Sequence, residues 1–527
     1  MRTEKLVVVG AGIGGLVAAL ELAARGVEVV VVEQAAGVGG KMREVQVGGQ
    51  ALDAGPTVFT MRWVFEELFE RIGERIDDHL ALHPAQTLAR HAWDAGGDHT
   101  APQRLDLFAD LERSVDAIGM FAGAAEARRY REFCARAAGI YRTLERPFLR
   151  STRPNPVSLA GRVGLRGLPG LVRISPFATL WGALGEHFHD PRLRQLFGRY
   201  ATYCGSSPFD ATATLMLVAH VEREGVWRVE GGMHRIAATL AKLCAARGVV
   251  FRHGVSVREV MLSGGRASGV RLADGEVIEA AAVVFNGDVA ALASGALGDA
   301  ATRAVPPMPI AQRSLSALTW NLVARTEGFP LRHHNVFFSQ DYAAEFADIF
   351  QRGRLPSEPT VYVCAQDRSD RDDTEPTGPE GLLCLVNAPP SGDTRPLSPE
   401  EIAACEQATF GMLTRCGLHV THEAAQCVRT TPTDFERLFP ATGGALYGQA
   451  AHGWRASFTR PGSHSRIPGL LLAGGSTHPG PGVPMAAISG SLAAQAVLAQ
   501  RRMAAPVRRA STSASLPAAT PGGTSTP

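Results

Sequence analysis

The sequence predicts an α/β protein whose central domain is assembled from stretches that lie far apart in the chain. Three observations lead to this prediction. Residues 5–33 read as strand, turn, helix and strand, and residues 229–290 read as a helix followed by alternating strand patterns. An apolar run at residues 470–473 then passes into a Gly- and Pro-rich loop and a further helix. With 527 residues, the chain also exceeds what one hydrophobic core accommodates, so we expect additional domains.

The composition argues against several classes of protein. The chain has 53 basic and 51 acidic side chains and a net charge of +2, which gives no support to nucleic-acid binding. The eight cysteines form no C-x-x-C pair, and the histidines do not fall at metal-ligand spacings, so we expect free thiols and no metal. Because no run of about 18 apolar residues occurs, we expect a cytoplasmic protein without a transmembrane helix.

The first unit carries a phosphate-binding pattern. Gly10, Gly12 and Gly15 have the spacing G-x-G-x-x-G. They follow a short apolar strand, Leu6–Val9, and Glu33 ends the next strand 18 residues after Gly15. In this context the glycines permit a tight turn, close approach of a pyrophosphate and close packing of the helix, while the acid binds a ribose. The helix N-terminus offers free N–H groups to the phosphate. A tight strand–helix turn without a ligand is the alternative.

The residues after Glu33 favour FAD over NAD. A second glycine pair, Gly39–Gly40, follows closely and is succeeded by Lys41 and Met42. A nicotinamide-binding domain has no need of such a pair, whereas two-dinucleotide-type flavoproteins pass a second segment beside the pyrophosphate and ribityl chain. The small residues DAGPT at 53–57 form a further segment that can approach a flavin ring. An ordinary loop and an ordinary turn are the alternatives.

Residues 146–185 differ in composition from the rest of the chain. No acidic residue occurs between Glu145 and Glu186. Arginines are interleaved there with apolar residues, Pro and Gly, at positions Arg146, Arg150, Arg153, Arg162, Arg166 and Arg173. Such a segment suits a surface that rests on anionic lipid. A basic loop without membrane contact is the alternative.

Periodicity and turn residues predict most of the remaining elements. Between Met61 and Ile140 the pattern is mostly helical, apart from a loop near residues 92–104. Gly264–Gly265 and Asp274–Gly275 predict hairpin turns. The tail from about Met503 is rich in Ser, Thr, Ala, Pro and Gly, and we expect it to be disordered.

Five segments carry a resemblance to a known family. They are VVVGAGIGGLVAALELAARGVEVVVVEQAAGVGGKM, LDAGPTVFTM, FGRYATYCGSSPF, VWRVEGGMHRIA and LLLAGGSTHPGPGVPMAAISGSLAA. They resemble the bacterial carotenoid (phytoene) desaturase family of FAD enzymes, within the amine oxidase-like superfamily, over most of the chain. DAGPTVFTMRWVFEELF, LARHAW, RLDLFAD and EGVWRVEGGM are most similar to its hydroxyneurosporene (1-hydroxycarotenoid 3,4-) desaturase branch, also called methoxyneurosporene dehydrogenases, of purple bacteria.

The resemblance implies a Rossmann-like FAD-binding domain with an inserted α+β substrate domain and a helical, membrane-contacting subdomain. The implied division is FAD-binding parts at residues 1–75, 228–300 and 465–502, a helical insertion at 76–227 with its membrane-facing segment at 146–185, a substrate domain at 301–464, and a tail at 503–527.

Carried over position by position, the resemblance also implies a set of FAD-binding residues. They are Gly10, Gly12, Gly14, Gly15, Glu33, Gly40, Lys41, Met42, Gly55, Pro56, Thr57, Val257, Asn286, Gly474, Gly475, Pro484 and Met485. Val257 would offer backbone groups to the adenine, and Met485 would contact the isoalloxazine. Pro484 would start a helix whose N-terminus stabilises negative charge on the reduced ring.

The implied reaction is desaturation of the C3–C4 bond of acyclic 1-hydroxy or 1-methoxy carotenoids, such as 1-hydroxyneurosporene, by hydride transfer to flavin N5. Oxygen or a quinone would accept the electrons, and the protein would lie on the inner or photosynthetic membrane. Alternatives are a phytoene or neurosporene desaturase, a carotenoid isomerase, an amine oxidase-type flavoenzyme and a non-catalytic flavin-bound assembly factor.

The side-chain chemistry expected at this site is sparse. His478 is a candidate proton acceptor, but we favour a loop histidine bonded to backbone, because a hydride-first reaction does not demand a base. Asp53 and Asp288 are expected to brace Gly-rich turns. Several aromatic residues are candidates for an apolar tunnel, with core packing as the alternative: Phe59, Tyr200, Tyr203, Phe209 and Trp227.

Overall fold

The computed structural model describes residues 5–94, 102–369 and 376–504. The tail that we expect to be disordered lies outside the described residues from position 505 onward. The strands are β1 Leu6–Val9, β2 Val29–Val32, β3 Glu44–Val47, β4 Gln50–Asp53, β5 Phe59–Thr60, β6 Leu82–Pro84, β7 Thr87–Trp93, β8 Gln103–Phe108, β9 Val226–Val229, β10 Val250–Arg252, β11 Val257–Ser263, β12 Arg266–Leu272, β13 Val277–Glu279, β14 Ala282–Phe285, β15 Ser316–Glu327, β16 His334–Phe338, β17 Val361–Ala365, β18 Glu380–Ala388, β19 His419–Thr421, β20 Cys427–Thr430 and β21 Leu470–Leu472.

Helices fall between these strands throughout the described residues. They are α1 Ile13–Ala23, α2 Trp63–Arg71, α3 Leu111–Ala122, α4 Ala124–Leu144, α5 Pro156–Arg173, α6 Leu180–His187, α7 Pro191–Gly198, α8 Leu217–Glu224, α9 His234–Ala246, α10 Val289–Ala293, α11 Tyr342–Phe350, α12 Pro399–Arg415, α13 Pro432–Leu438, α14 Ala456–Thr459 and α15 Val483–Ala504.

A five-stranded parallel sheet forms the centre of the molecule, in the order β10-β2-β1-β14-β21. Its strands are short runs of Val, Leu and Phe that are buried on both faces, as a sheet covered on both sides requires. Because successive side chains alternate between faces, Val8 and Val284 pack with the helices α1, α9 and α15, while Val7 and Val283 pack against the β11–β12–β13 sheet. The sheet thus unites β-strands from the beginning, the middle and the end of the chain.

Helix α15 packs closely against α1. A Cβ on Gly490 would overlap the carbonyl oxygen of Gly14, so the two backbones approach each other there. Beside this crossing, buried Glu21 accepts a hydrogen bond from Ser491 Oγ at 2.6 Å and pairs with Arg71 at 2.9 Å. The segment Val483–Arg501 is long and apolar enough to cross a membrane, contrary to the sequence expectation, but 67% of it is buried inside the protein. Its packing is therefore that of a core helix.

An eight-stranded mixed sheet forms the second layer, in the order β19-β15-β18-β17-β16-β7-β8, with β20 also on β15. The helical prediction between Met61 and Ile140 is wrong for residues 82–91 and 105–108, where β6, most of β7 and most of β8 lie. β7 pairs in parallel with β16, more than 200 residues later. This tertiary pairing is not encoded in local periodicity, and it joins part of the predicted helical insertion to the sheet of residues 301–464.

Helices α3 to α8 build the insertion around an aromatic core. Phe133, Phe188 and Phe197 are fully buried and lie 4.7–5.2 Å apart between ring centroids. The basic stretch is not a loop, because Pro156–Arg173 forms a helix with a kink at Gly164, whose φ is +69°. The two hairpins predicted at Gly264–Gly265 and Asp274–Gly275 are confirmed as the β11–β12 and β12–β13 turns.

The close crossing of α1 and α15 makes a prediction about two helical glycines. G490A inserts a methyl group where backbone already lies and should lower the free energy of unfolding by about 1–3 kcal/mol. G139A, on α4, meets no atom within 4 Å and should be neutral or stabilising by up to about 1 kcal/mol. Thermal unfolding followed by circular dichroism measures both. Equal melting temperatures for the two variants would contradict the close approach.

Candidate active site

One large cavity lies where the layers meet, with a volume of about 1580 Å³. One wall consists of loops at the carboxyl ends of β1, β2, β14 and β21, where open α/β sheets bind their ligands. A second wall consists of side chains from β15, β17 and β18, and a third, which is largely apolar, comes from the helical insertion. This volume exceeds the roughly 300–1,000 Å³ of a site for one drug-sized ligand.

The amide of Asn286 joins the glycine loops. Asn286 follows β14, and its Nδ2 donates to the Gly10 carbonyl at 3.3 Å. A Cβ on Gly12 would lie 2.9 Å from Nδ2, and a Cβ on Gly14 or Gly474 would lie 2.6 or 2.9 Å from Oδ1. These glycines therefore make room for a side chain as well as for a ligand.

The other predicted glycines hold the loops close to one another. A Cβ on Gly15 would overlap the Gly10 carbonyl oxygen, which agrees with close helix packing. Gly15 itself is not among the cavity-lining residues. Gly40 has a φ of +59° and lies against Gly12, because a Cβ on Gly40 would be only 3.2 Å from the Gly12 Cα. A Cβ on Gly55 would overlap the carbonyl oxygen of Lys41, so these two loops also touch.

Glu33 is buried at the edge of the cavity. Its Oε2 accepts from Ala11 N–H at 2.7 Å and its Oε1 from Ala35 N–H at 2.8 Å. Each carboxylate oxygen retains a further lone pair, so the group can still accept from ribose hydroxyls. Val257 lines the cavity and directly follows the turn at residues 254–256. This turn contacts the segment after Glu33, because the Gly254 N–H donates to Ala35 O.

Two basic side chains, Lys41 and Arg460, line the cavity together with the third glycine loop. Lys41 Nζ donates to Leu446 O at 2.6 Å, and burial lowers the pKa of Lys41 while nearby Asp288 opposes that shift. Arg460 donates to Gly475 O at 3.1 Å, and burial lowers its pKa as well. Sequence reasoning found Lys41 but missed Arg460, which lies outside any glycine motif. Met42 also lines the cavity.

The N-terminus of α15 opens onto the cavity. The helix begins at Val483, so Pro484 lies in its first turn as predicted. Ala486 N–H donates to Gly482 O at 2.9 Å, and the N–H groups before it have no acceptor within the helix. Gly482, Pro484 and Met485 line the cavity, as do Gly474 and Gly475.

Thr57 connects the first glycine-rich region to the second sheet. Its Oγ1 lies 2.7 Å from the hydroxyl of Tyr362 on β17, which in turn lies 2.7 Å from His334 Nδ1. Pro56, Thr57 and Tyr362 all line the cavity. Asp53, just before them, accepts from the N–H groups of Met233 and His234, which confirms that it braces a turn.

Asp288 also braces a turn, because its side chain caps α10 through the Ala290 N–H. Of the candidate tunnel aromatics, Tyr203 lines the cavity. The others are absent from its lining, which agrees with core packing: Phe59, Tyr200, Phe209 and Trp227.

His478 lies outside the cavity lining and is buried. Its Nε2 lies 2.9 Å from both Phe148 O and Ser151 O, and since both partners are acceptors, Nε2 carries a hydrogen. Burial lowers the pKa of His478 to about 4. The side chain thus ties the third glycine loop to the helical insertion, a placement that favours the bracing role.

A polar cluster at the cavity wall, in which Arg199, Tyr203 and Glu222 line the cavity and Tyr200 lies behind them, was not predicted. Tyr200 and Tyr203 donate to the two oxygens of Glu222, each at 2.7 Å, and Arg199 Nη1 donates to Tyr203 Oη at 3.1 Å. Burial raises the pKa of Glu222. The signal in the sequence was Arg199-Tyr200 followed by Tyr203, but Glu222 comes from the next helix and no local spacing reveals it.

His333, His334 and Cys364 bring potential metal-ligand atoms within 4.8 Å of one another, although they are not spaced as ligands in the sequence. β16 and β17 place them side by side. His334 Nδ1 bonds to Tyr362, His333 Nδ1 to Arg368 O at 3.1 Å, and Cys364 Sγ lies 3.7 Å from His333 Nε2. Burial raises the pKa of the Cys364 thiol and lowers that of His334. Because the three groups are bonded to each other or to other parts of the protein, we assign them to packing.

The fold and the site define a dinucleotide-binding protein with a large, partly apolar second cavity region for another ligand. The chain belongs to the flavin containing amine oxidoreductase family, whose family model matches residues 13–498. It is an oxidoreductase of the FAD carotenoid desaturase branch of that family, and its cofactor is FAD.

Two curated relatives that are more than 40% identical to the chain are both named hydroxyneurosporene desaturase. The chain is 56% identical to a hydroxyneurosporene desaturase of Rubrivivax gelatinosus over 95% of this chain and 94% of that one. It is 46% identical to the enzyme of that name from Cereibacter sphaeroides, over 94% of this chain and 97% of that one. A zeta-carotene-forming phytoene desaturase of Myxococcus xanthus is 32% identical over 94% of each chain.

Solved structures share the fold at lower identity. A putrescine oxidase bound to putrescine has a TM-score of 0.56 and 16% identity, covering 94% of this chain and 99% of that one. An oxidoreductase from Methanosarcina mazei has a TM-score of 0.55 and 16% identity, covering 94% of this chain and all of that one.

The buried neutral state of His478 makes stability depend on pH. Its pKa is depressed in the folded protein, so its stabilising contribution is present above about pH 6.5 and is lost as the pH falls toward 4. Between these values, the wild type should lose up to about 1.4 kcal/mol of unfolding free energy per pH unit relative to H478Q. Denaturant unfolding at pH 7.5 and 5.0 measures this difference. H464Q, at an exposed position, is the control, and a pH-independent gap between wild type and H478Q would contradict the buried state.

Proposed function

We propose that this protein is an FAD-dependent desaturase that introduces a C3–C4 double bond into acyclic 1-hydroxy or 1-methoxy carotenoids such as 1-hydroxyneurosporene. The observation that carries the proposal is the continuity of the cavity. The same cavity is lined by the glycine loops of the FAD side and by apolar side chains of the helical insertion, among them Leu159, Leu217 and Val221. The names of the curated relatives from Rubrivivax gelatinosus and Cereibacter sphaeroides agree with this reaction.

We propose that FAD is held by residues of all three chain stretches. The glycine loop around Gly12 and Gly14 and the N-terminus of α1 suit the pyrophosphate, and Glu33 suits the ribose. The remaining predicted residues are assigned to FAD by the same reasoning: Gly10, Gly15, Gly40, Lys41, Met42, Gly55, Pro56, Thr57, Val257, Asn286, Gly474, Gly475, Pro484 and Met485. Gly15 acts through backbone packing rather than contact.

The division of the chain follows from the same proposal. Residues 1–75, 228–300 and 465–502 form the FAD-binding domain, since they contain the strands of the parallel sheet. Residues 301–464 form the substrate domain, to which we add β7 and β8 because they extend its sheet. The other residues of 76–227 form the helical insertion.

The chemistry asks little of the protein's own side chains. When bound, FAD would accept a hydride at N5 from one carbon of the C3–C4 bond, and the neighbouring carbon would lose a proton, so that the two hydrogens removed balance as FADH2. The apolar walls exclude water and hold the polyene in an extended position, with the reacting bond aligned. The first turn of α15 offers unsatisfied N–H groups and a positive dipole end to a group that gains electrons.

Apolar side chains next to the cavity support a membrane-facing surface in residues 146–185. Phe177 is 79% exposed and Val157, on α5, is 82% exposed. The Phe177 ring packs 5.7 Å from that of Trp454, which lines the cavity together with Pro176. We propose that this surface dips into the cytoplasmic face of the inner or photosynthetic membrane, so that a carotenoid passes directly from lipid to cavity.

The basic residues of this segment are not equivalent. Arg162 donates to Pro147 O and Thr152 O, so it supports the local backbone. Arg173 is exposed at the end of α5, where its charge can meet anionic lipid. The side chain of Arg166 lies outside the described part of the structure.

The purified, FAD-loaded protein should desaturate 1-hydroxyneurosporene presented in liposomes. Without oxygen, one turnover should bleach the flavin absorbance and shift the carotenoid spectrum to the red, because the conjugated system lengthens. Subsequent addition of oxygen or of a quinone, in separate samples, identifies which of them restores the flavin faster. Turnover of phytoene without turnover of 1-hydroxyneurosporene would contradict the proposed substrate, and peroxide formation with a diamine would favour an amine oxidase.

Membrane binding should depend on Phe177 and on Arg173. The double variant F177D/R173E should float with anionic liposomes roughly tenfold less than wild type, because it removes an aromatic ring that enters the lipid and a charge that faces it. I310D changes another exposed apolar residue, 56% exposed, and should float like wild type. Equal recovery of both variants would reject this surface.

A further inference from the structure

Arg199 has neither a carboxylate partner nor a backbone carbonyl partner among the described residues. Buried Arg460, which also lacks a carboxylate partner, donates instead to the backbone carbonyls of Tyr447, Gln449 and Gly475. Arg199 lines the cavity, and none of the described residues brings a carboxylate oxygen within 4.0 Å of its guanidinium. Arg90, Arg313 and Arg368, which are also largely buried, each pair directly with an Asp or Glu. An enclosed cation needs compensating partners, because burial without them is costly. The remaining donors of Arg199 therefore require an acceptor.

The hydroxyl of Tyr203 links Arg199 to a carboxylate. Tyr203 has a single hydroxyl hydrogen, which it donates to Glu222, so its oxygen accepts from Arg199 Nη1. Tyr200 occupies the other oxygen of Glu222. Glu222 thus compensates the charge of Arg199 through the Tyr203 hydroxyl, which lies between them. This arrangement fixes the guanidinium, which lines the cavity and makes no other hydrogen bond to the described residues.

The guanidinium also lies close to the segment proposed to approach the flavin ring. Its central carbon is 5.2 Å from the ring centroid of Tyr362. The Tyr362 hydroxyl is 2.7 Å from Thr57 Oγ1. Tyr362 therefore neighbours both Arg199 and Thr57. A polar group of the ligand bound by Arg199 would lie near the reacting carbons.

We propose that Arg199, positioned by Tyr203 and Glu222, binds the oxygen at C1 of the polyene and so determines which end group is desaturated. This assignment rests on the proposed function. The C1 oxygen is only three bonds from C3, which suits a recognition group next to the flavin-facing segment. Arginine donates and never accepts, so it can bind a hydroxyl and a methoxy oxygen alike. A polyene without this oxygen would leave a buried guanidinium without its acceptor, which disfavours it.

A purely structural role is the competing explanation. Arg199 lies 5.3 Å and 5.2 Å from the ring centroids of Tyr203 and Tyr362, a distance at which cation–π attraction can hold the cluster together. In that case its loss would affect hydroxylated and unsubstituted polyenes equally. The preference between the two substrates separates these roles.

The experiment compares 1-hydroxyneurosporene with neurosporene, which lacks the oxygen, using FAD-loaded full-length protein in liposomes. In R199M, the ratio of kcat/KM values for the two polyenes should fall by about 10- to 100-fold from its wild-type value, the range for a lost hydrogen bond to a charged donor. R199K, which keeps a charge but loses the fork of donors, should fall less. Y203F, which frees the guanidinium, should also lower the ratio. R194M is the matched control, since Arg194 stacks on Trp181 outside the cavity, and its ratio should equal that of wild type.

Binding provides a second readout that does not depend on turnover. With the flavin chemically reduced and oxygen excluded, the carotenoid spectrum reports equilibrium binding, and the ratio of the two Kd values should change in R199M in the same sense as the kinetic ratio. Flavin absorbance verifies folding of each variant. If R199M lacks flavin, R199K and Y203F decide, because both keep the volume of the cluster.

The failures of the two proposals are distinguishable. If wild type prefers 1-hydroxyneurosporene and the Arg199 and Tyr203 variants retain that preference, the role of Arg199 is overturned and the proposed function stands. If wild type converts neither polyene, the proposed function is overturned and the role of Arg199 falls with it. If the preference is lost in R199M and kept in R194M, the inference is supported.

Discussion

The fold depends on the junction at Asn286, where one amide lies between glycine loops from both ends of the chain. Its Nδ2 reaches Gly10, and its Oδ1 lies against the positions where Gly14 and Gly474 lack a Cβ. The two loops and the strand end that they surround cannot approach each other with larger residues. The glycines therefore serve two purposes that coincide in space: they admit the side chain that joins the loops, and they leave N–H groups free for a phosphate. A dinucleotide site and the seam between three chain stretches are the same structure here.

Around this junction, most enclosed charged side chains are occupied by other protein groups. Some enclosed charges form ion pairs, as Arg368 does with Glu380. Others are stabilised by hydrogen bonds from the backbone, as Glu33 is by the N–H groups of Ala11 and Ala35. Their interactions fix loops and leave little chemistry to side chains. This is consistent with a protein whose reactive atoms belong to its cofactor, while the polypeptide supplies orientation, exclusion of water and a few polar contacts to the substrate.

Much of the fold was predictable because its signals are local. The run Leu6–Val9, the glycine spacing and the apolar stretch before Gly474 each define a strand end and a turn without reference to the rest of the chain. Strand β7 was missed because its partner is β16, and its residues have little alternation since both faces are buried. The kinked helix Pro156–Arg173 was missed because Pro and Gly interrupt the local pattern. In the site, Gly10, Gly12 and Gly15 were predicted from their spacing and the later glycines from the family resemblance. Arg199, Glu222 and Arg460 belong to clusters that only tertiary contacts create.

The dispersed origin of the parallel sheet has a consequence for synthesis of the protein on the ribosome. β1 has β14 as its neighbour, and α1 is covered by α15, which begins at residue 483. At about 5–20 residues per second, the apolar face of α1 waits roughly half a minute or more before its covering helix emerges. During the first part of that interval the nascent chain presents β1 without β14, and throughout it presents α1 without α15. A cell producing this protein must therefore shield its N-terminus until translation is nearly complete, and a chain that terminates early is left with exposed apolar surface rather than with a smaller working domain.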